Sequence, residues 1–221
     1  MPRAVIFANG ILPDLEAVHR LIDPGDTLIA ADGGTHHALA LGFIPAVLIG
    51  DLDSLTAADR RQVEAAGAVI RQHPRDKDET DLELALQYAV KAGFREIVVT
   101  AALGGRLDQT LGNLFLLTRP EYAALDIRMD DGVEAGWFVY SRSEVHGQAG
   151  DLISLIPWNG EAAGVTTEGL RWPLMDETLY PDRTRGISNE LLGEAASVAL
   201  KSGRLLLVHR RSQPSQIPGG S

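Results

Sequence analysis

The sequence predicts an α/β fold in two parts: an N-terminal parallel sheet with helices on both faces, then a small C-terminal all-β sandwich. Three observations carry this. As far as Leu117, short apolar runs alternate with segments of helical spacing. From about Leu125 helical periodicity disappears, and β-like runs follow one another between Gly, Pro and Asp-Gly turns. The 221 residues, 45% of them hydrophobic, suffice for two compact cores.

Ala4–Ala8 is a continuous apolar run, as expected of a strand buried on both faces. Asp14–Ile22 is a helix, with Leu15, Val18, Leu21 and Ile22 on one side, and Pro24-Gly25-Asp26 is a turn. Thr27–Ala31 is the next strand, followed by Asp32-Gly33-Gly34 and a short helix through Leu41. Ala46–Ile49 is a strand ending at Gly50-Asp51, Thr56–Ala66 a helix and Ala68–Arg71 a strand. After a charged loop come a helix over Asp81–Lys91, a strand over Glu96–Ala101, the Gly104-Gly105 turn and a helix over Asp108–Leu117. Repeated βα units of this kind build a parallel, Rossmann-like sheet. The later β-like runs are Gly136–Tyr140, Leu152–Ile156, Val165–Thr167, Ser197–Leu200 and Leu205–Val208. With Asp130-Asp131-Gly132 as the boundary, the expected domains are 1–128 and 132–210, followed by a flexible tail over 211–221.

Lys plus Arg number 20 and Asp plus Glu 30, a net charge of −10 that argues against a nucleic-acid partner. Without cysteine there is no disulfide and no thiolate site, which suits a reducing cytoplasm. No signal peptide or membrane span is visible. The Walker phosphate loop, the G-x-G-x-x-G dinucleotide fingerprint and the G-x-S-x-G elbow are all missing. His36-His37, on a predicted helix with no partner one turn on, reads as surface. His73 and His209 read as structural or exposed.

The candidate chemistry lies in four acidic or Gly-rich loops that follow predicted strands. In an open parallel sheet such loops share one edge, where ligands bind. They are Asp32-Gly33-Gly34, Gly50-Asp51-Leu52-Asp53-Ser54, Asp76-Lys77-Asp78-Glu79-Thr80-Asp81 and Gly104-Gly105-Arg106-Leu107-Asp108-Gln109. Asp51 and Asp53, two residues apart, repel unless a cation sits between them, and hard oxygen ligands suit Mg²⁺. An isolated pair of this kind is more often a solvated turn, here with Asp53 or Ser54 capping the next helix. Thr80 with Glu83 fits a capping box, and Asp81 then lies in the first helical turn, but neither accounts for Asp76 and Asp78. Backbone N–H groups at Gly104-Gly105 suit a phosphate, with Arg106 adding a charge-assisted contact. The alternative there is that Asp108 is an N-cap. The pair Gly33-Gly34 permits close ligand approach or a tight turn.

In this order and spacing the four loops resemble those of the thiamine pyrophosphokinase family. Ser154-Leu155-Ile156-Pro157, Gly169-Leu170-Arg171-Trp172-Pro173-Leu174 and Gly186-Ile187-Ser188-Asn189-Glu190 extend the resemblance, which runs from about Val5 to His209. The family often has Lys-Tyr at Arg171-Trp172 and His at Gln109. The resemblance implies transfer of diphosphate from ATP to the thiamine hydroxyl, giving thiamine diphosphate and AMP. It also implies Mg²⁺ as cofactor and a homodimer that shares the thiamine cleft between subunits. A related diphosphokinase acting on a hydroxymethyl-pterin is the alternative. Asp51, Asp53, Asp78 and Asp81 would serve the metal and phosphate region. Lys77 and Arg106 would neutralise phosphate oxygens, and Asp32, Gly33, Gly34, Ser54, Thr80, Gly104, Gly105 and Gln109 would line the site. Asp108 would be a metal ligand or the base that orients the hydroxyl. Ser188 and Asn189 are candidates for polar contacts to thiamine. Trp172 is a candidate for stacking, although a Trp before Pro in a β-domain is more often core.

Overall fold

The computed structural model describes residues 2–212 and divides the chain into two units, Met1–Gly132 and Val133–Ser221. The first unit runs β1 (Arg3–Phe7), α1 (Leu15–Leu21), β2 (Thr27–Ala31), α2 (Gly34–Ala40), β3 (Val47–Gly50), α3 (Ala57–Ala65), β4 (Val69–Gln72), α4 (Asp81–Lys91), β5 (Glu96–Thr100), α5 (Leu107–Leu116), a 3₁₀ turn at Pro120–Tyr122 and β6 (Asp126–Asp130). Its strands are all parallel, in the order β6-β5-β1-β2-β3-β4.

The register sorts the strand side chains into two faces. Val5, Phe7, Leu28, Ala30, Leu48 and Val98 share one face, packed with Val18 of α1, Ala38 of α2 and Val63 of α3. Ile6, Ile29 and Ile49 share the other and are fully buried. α4 lies against β1, β2 and β3 with Leu82, Ala85, Leu86 and Ala89 buried. The apolar runs thus bury both faces, as a parallel sheet demands. Side chains cap the helices where their types favour it: Asp14 accepts from Ala17 N–H at 2.9 Å, Thr56 from Asp59 at 3.1 Å and Thr80 from Glu83 at 3.2 Å.

β6 runs through position 128, where the sequence places the end of the first domain. Its Asp126-Ile-Arg-Met-Asp pattern alternates charge with apolar residues and lacks the continuous run of the central strands. It pairs parallel to β5 with Ile127 and Met129 buried.

The second unit holds β7 (Glu134–Val139), β8 (Arg142–His146), β9 (Leu152–Pro157), β10 (Ala162–Glu168), β11 (Glu177–Leu179), β12 (Asn189–Glu190), β13 (Ala195–Ala199) and β14 (Leu205–Arg210). Antiparallel pairing orders them β12-β9-β14-β7 and β11-β10-β13-β8. Ile153, Leu155, Leu205 and Leu207 from the first set and Val145, Val165, Leu179 and Val198 from the second form one core. β8, β11 and β12 have no counterpart among the sequence-predicted strands. β8 presents Arg142, Glu144 and His146 to solvent, and β12 is two residues long, so neither shows an apolar alternation.

The expected flexible tail lies almost wholly outside the described residues. Its first two members are tied down: Arg211 N–H donates to Val133 O at 2.9 Å, and Ser212 donates to Asp151 Oδ1 through both its N–H and its hydroxyl at 2.8 Å. His209 is buried, as the structural alternative expects, with Nε2 2.7 Å from Asp151 Oδ2. Among the described residues no helix is long and apolar enough to cross a membrane.

Candidate active site

The strand order of the first unit steps outward from β1 in both directions. Loops leaving β1 and β5 therefore diverge and open a crevice at the C-terminal edge of the sheet. A cleft of 610 Å³ occupies it, lined by Asn9 and Gly10 after β1, Asp32 after β2, Lys77, Glu79, Thr80 and Asp81 before and within α4, and Gly104 to Arg106 after β5. Loops after β1, β2, β4 and β5 thus meet in one cavity.

Asp32, Asp51 and Asp53 bring carboxylate oxygens within 4.8 Å of one another, the one such acidic group among the described residues. Asp32 is buried at φ +44°, and its Oδ1 is shielded from solvent with no hydrogen-bond partner. A buried carboxylate oxygen left unpaired beside two further carboxylates is costly unless a cation completes it. The backbone between the pair is strained as well, with Leu52 at φ +67°. The capping expected of Asp53 or Ser54 is not found: Thr56 caps α3, and Asp53 and Ser54 are exposed, with Asp53 N–H 3.2 Å from Asp51 Oδ1.

Asp81 joins this group from the α4 side. Burial pushes its carboxyl up, Lys77 at 3.0 Å pulls it down, and the charges of Asp32 and Asp51 push it up again. Gly34 lies so close to β1 that a Cβ there would stand 2.0 Å from Phe7 O, so its missing side chain serves packing rather than ligand approach. Gly33 is likewise buried.

The remaining predicted residues divide. Lys77, Thr80, Gly104, Gly105, Arg106 and Gln109 all line the cleft. Ser54 is exposed beside Asp53. Asp78 is exposed and falls outside both the acidic group and the lining of the cleft. Asp108 is not an N-cap. It lies in the first turn of α5 and takes two hydrogen bonds from Arg106, at 3.1 and 2.5 Å, which hold its carboxyl below the usual range. It lines a neighbouring cavity of 350 Å³ with Thr80, Glu83, Gln109, Asn113 and Arg119, where Glu83 pairs with Arg119.

In the second unit Trp172 is 46% exposed, not core, with the Arg171 guanidinium 5.0 Å from its ring centre. Asn189 is buried and its amide is committed: Oδ1 accepts from Trp172 N–H at 3.0 Å, and Nδ2 donates to Trp172 O at 2.7 Å. It therefore fixes the Trp172 loop and has little left for a ligand. Ser188, exposed at φ +56°, donates its N–H to Ser154 Oγ.

The sequence reading passed over Asn9-Gly10, Arg75 and Asn113, which also line the cleft. Asn9-Gly10 had a usable signal, since it follows a strand just as the four chosen loops do. Asn113 lies within a helix, and only the fold reveals that it faces the cleft.

The fold defines a two-unit protein: an α/β unit with an acidic group and a cleft at the edge of its parallel sheet, and a unit of antiparallel strands. The model for the thiamin pyrophosphokinase catalytic domain matches residues 18–129, and that for the family's vitamin B1 binding domain matches residues 142–205. The chain belongs to the thiamin pyrophosphokinase family. It is 30% identical to the thiamine pyrophosphokinase of Bacillus subtilis over 92% of this chain and 96% of that one. It is 28% identical to a thiamine pyrophosphokinase of Oryza sativa over 95% and 88% of the two chains. A crystal structure of the Bacillus subtilis thiamine pyrophosphokinase superposes with a TM-score of 0.85 at 27% identity, covering 96% of this chain and 100% of that one. None of these findings favours the hydroxymethyl-pterin alternative.

Proposed function

We propose that the protein catalyses the thiamine diphosphokinase reaction, moving the diphosphate of ATP onto the hydroxyl of thiamine to give thiamine diphosphate and AMP. The observation that carries this is the group of Asp32, Asp51 and Asp53, the first of them lining a cleft of 610 Å³, in a chain whose two halves match the two domains of one family. The Rossmann-like first domain, 1–128 by sequence, is the nucleotide platform, and 132–210 is the thiamine-binding sandwich.

In the reaction the thiamine oxygen bonds to the β-phosphorus, the bond from that phosphorus to the bridging oxygen of AMP breaks, and the hydroxyl proton is released. Asp32, Asp51 and Asp53, with Asp81 nearby, fit a divalent cation such as Mg²⁺, since they offer hard oxygen ligands and, at Asp32, a shielded oxygen without a partner. Bound there, the ion would neutralise charge on the phosphate oxygens. Lys77 and Arg106 supply positive charge from the protein, and the Gly104-Gly105 turn supplies backbone N–H groups. Asp108, an Arg-paired carboxylate, is a weak base suited to orienting the hydroxyl. Exposed Asp78 is at most an outer member of the phosphate region.

A homodimer also suits the surface. Leu107, Leu111 and Phe115 recur one helical turn apart on α5 and are exposed, Leu107 at 72%. In the second unit Trp172, Met175, Ile187 and Leu192 are exposed too. Trp172 offers a π face for cationic thiamine. A cysteine-free acidic chain fits the cytoplasm.

The test is incubation with Mg-ATP and thiamine, with products read by phosphorus NMR. AMP together with thiamine diphosphate is the expected result. ADP with thiamine monophosphate, or no turnover, rejects the assignment.

A further inference from the structure

Two residues read from the sequence as plain surface, His36 and His37, grip loops that follow two different strands, β3 and β1. They are adjacent on α2, and adjacent helical residues point in different directions. His37 Nε2 lies 2.9 Å from Gly10 O, in the loop after β1. His36 Nε2 lies 2.9 Å from the carbonyl oxygen of Ser54, the residue that follows Asp53. A carbonyl only accepts, so Nε2 of His36 is a donor here. The other ring nitrogen, Nδ1, lies 3.2 Å from Asp59 Oδ2. That oxygen also accepts from the Thr56 hydroxyl at 2.7 Å, and Thr56 is the N-cap of α3. Both partners are acceptors, so the ring ties the end of the acidic loop to the start of the helix that follows it when both nitrogens carry protons, as the imidazolium.

Apart from Leu52, which is buried with Ala30, Leu48 and Val63, the acidic loop has few other ties. Asp53 N–H reaches Asp51 Oδ1 at 3.2 Å, Ser54 Oγ reaches Asp53 Oδ1 at 3.4 Å, and Gln72 Nε2 reaches Asp51 O at 3.4 Å. Arg75 stands 3.5 Å from Asp53. The tie to His36 is the shortest polar contact to residues 51–54 among the described residues. The loop needs such a tie, since Leu52 is held at positive φ while three carboxylates repel one another.

We propose that His36 is a positioning residue for divalent-cation binding: by holding the Ser54 carbonyl and the α3 cap, it keeps Asp51 and Asp53 turned toward Asp32. This rests on the reading of the acidic group as a cation site.

The experiment is titration of the full chain with Mn²⁺, following free Mn²⁺ by electron paramagnetic resonance, for the native chain, His36→Ala and His36→Gln. Loss of a residue that orients metal ligands weakens binding about 10-fold or more. That loss is expected for His36→Ala, with its thermal midpoint in EDTA close to native. Gln places an N–H donor where Nε2 stood, so His36→Gln recovers most of the affinity. In turnover assays His36→Ala should raise the half-saturating Mg²⁺ concentration while kcat at saturating Mg²⁺ changes little. Native Mn²⁺ affinity in His36→Ala, or equal losses in both variants, overturns the positioning role and leaves the cation site standing. Absence of Mn²⁺ binding by the native chain overturns the cation site, and the role of His36 with it.

Discussion

Asp32 lies directly over the backbone of Gly50: a Cβ on residue 50 would stand 2.8 Å from the Asp32 Cβ and 3.2 Å from the Asp81 carboxylate. Gly50 also has φ +151°, which L side chains rarely adopt. The floor of the acidic site is therefore built on a missing side chain. Gly50→Ala should cost roughly 1–3 kcal/mol of stability from overpacking and strain. It should also weaken Mn²⁺ binding, because the Cβ pushes two carboxylates apart. Urea denaturation and Mn²⁺ titration on the same variant check both. A variant with native stability and native binding would refute this account of the floor.

Asp32 itself should behave as a residue that costs stability until a cation arrives. Its Oδ1 is shielded and unpaired beside Asp51 and Asp53. Asp32→Asn removes a charge with little change in shape, so in EDTA it should be at least as stable as the native chain. A ligand at a hundredfold excess over its Kd stabilises by about 2.7 kcal/mol. The native chain should therefore gain several degrees in thermal midpoint with saturating Mg²⁺, and Asp32→Asn should gain much less. Equal gains would show that Asp32 takes no part in the site.

The sequence made the centre of the sheet legible because β1, β2 and β3 are continuous apolar runs, and β2 and β3 lead straight into Asp32 and Gly50-Asp51. Asp51 and Asp53 stood out through their spacing, as did the Thr80 cap. What stayed hidden depends on through-space geometry. The shared sheet edge already put Asp32 near Asp51 and Asp53, but only the fold shows all three carboxylates within 4.8 Å of one another. Asn189 resembles a ligand contact by type, yet its amide is spent on the backbone of Trp172. Trp172 reads as core because of the proline after it, whereas the fold leaves it exposed with Arg171 against its ring.

Two substitutions, at Thr80 and at Asp51, separate chemistry from scaffolding. Thr80 accepts from the Glu83 N–H as the cap of α4. Thr80→Ala should cost about 1 kcal/mol of stability and only modest rate. Asp51→Asn should leave stability near native and remove most turnover, since it strips a charge from the carboxylate group. Steady-state kinetics paired with thermal unfolding gives the comparison. Similar rate losses in two well-folded variants would undo this division of roles.

Asp151 gives the second unit an acid-sensitive tie. Burial alone would raise its carboxyl, but hydrogen bonds from the Ser212 N–H, His209, the Ser212 hydroxyl and the Gln148 N–H outweigh that and bring it to about 2. A carboxyl whose folded pKa is depressed stabilises the fold in full above its unfolded value, about 3.9. That contribution drains away as pH falls from there toward 2. Between pH 5 and pH 3 the native chain should therefore lose about 1 kcal/mol through this residue. Asp151→Asn should be less stable than native at pH 7, because a buried carboxylate that takes several hydrogen bonds is lost. It should also show a shallower decline with acid, read by urea unfolding at several pH values. Parallel declines in the two proteins would mean that Asp151 is not the titrating tie.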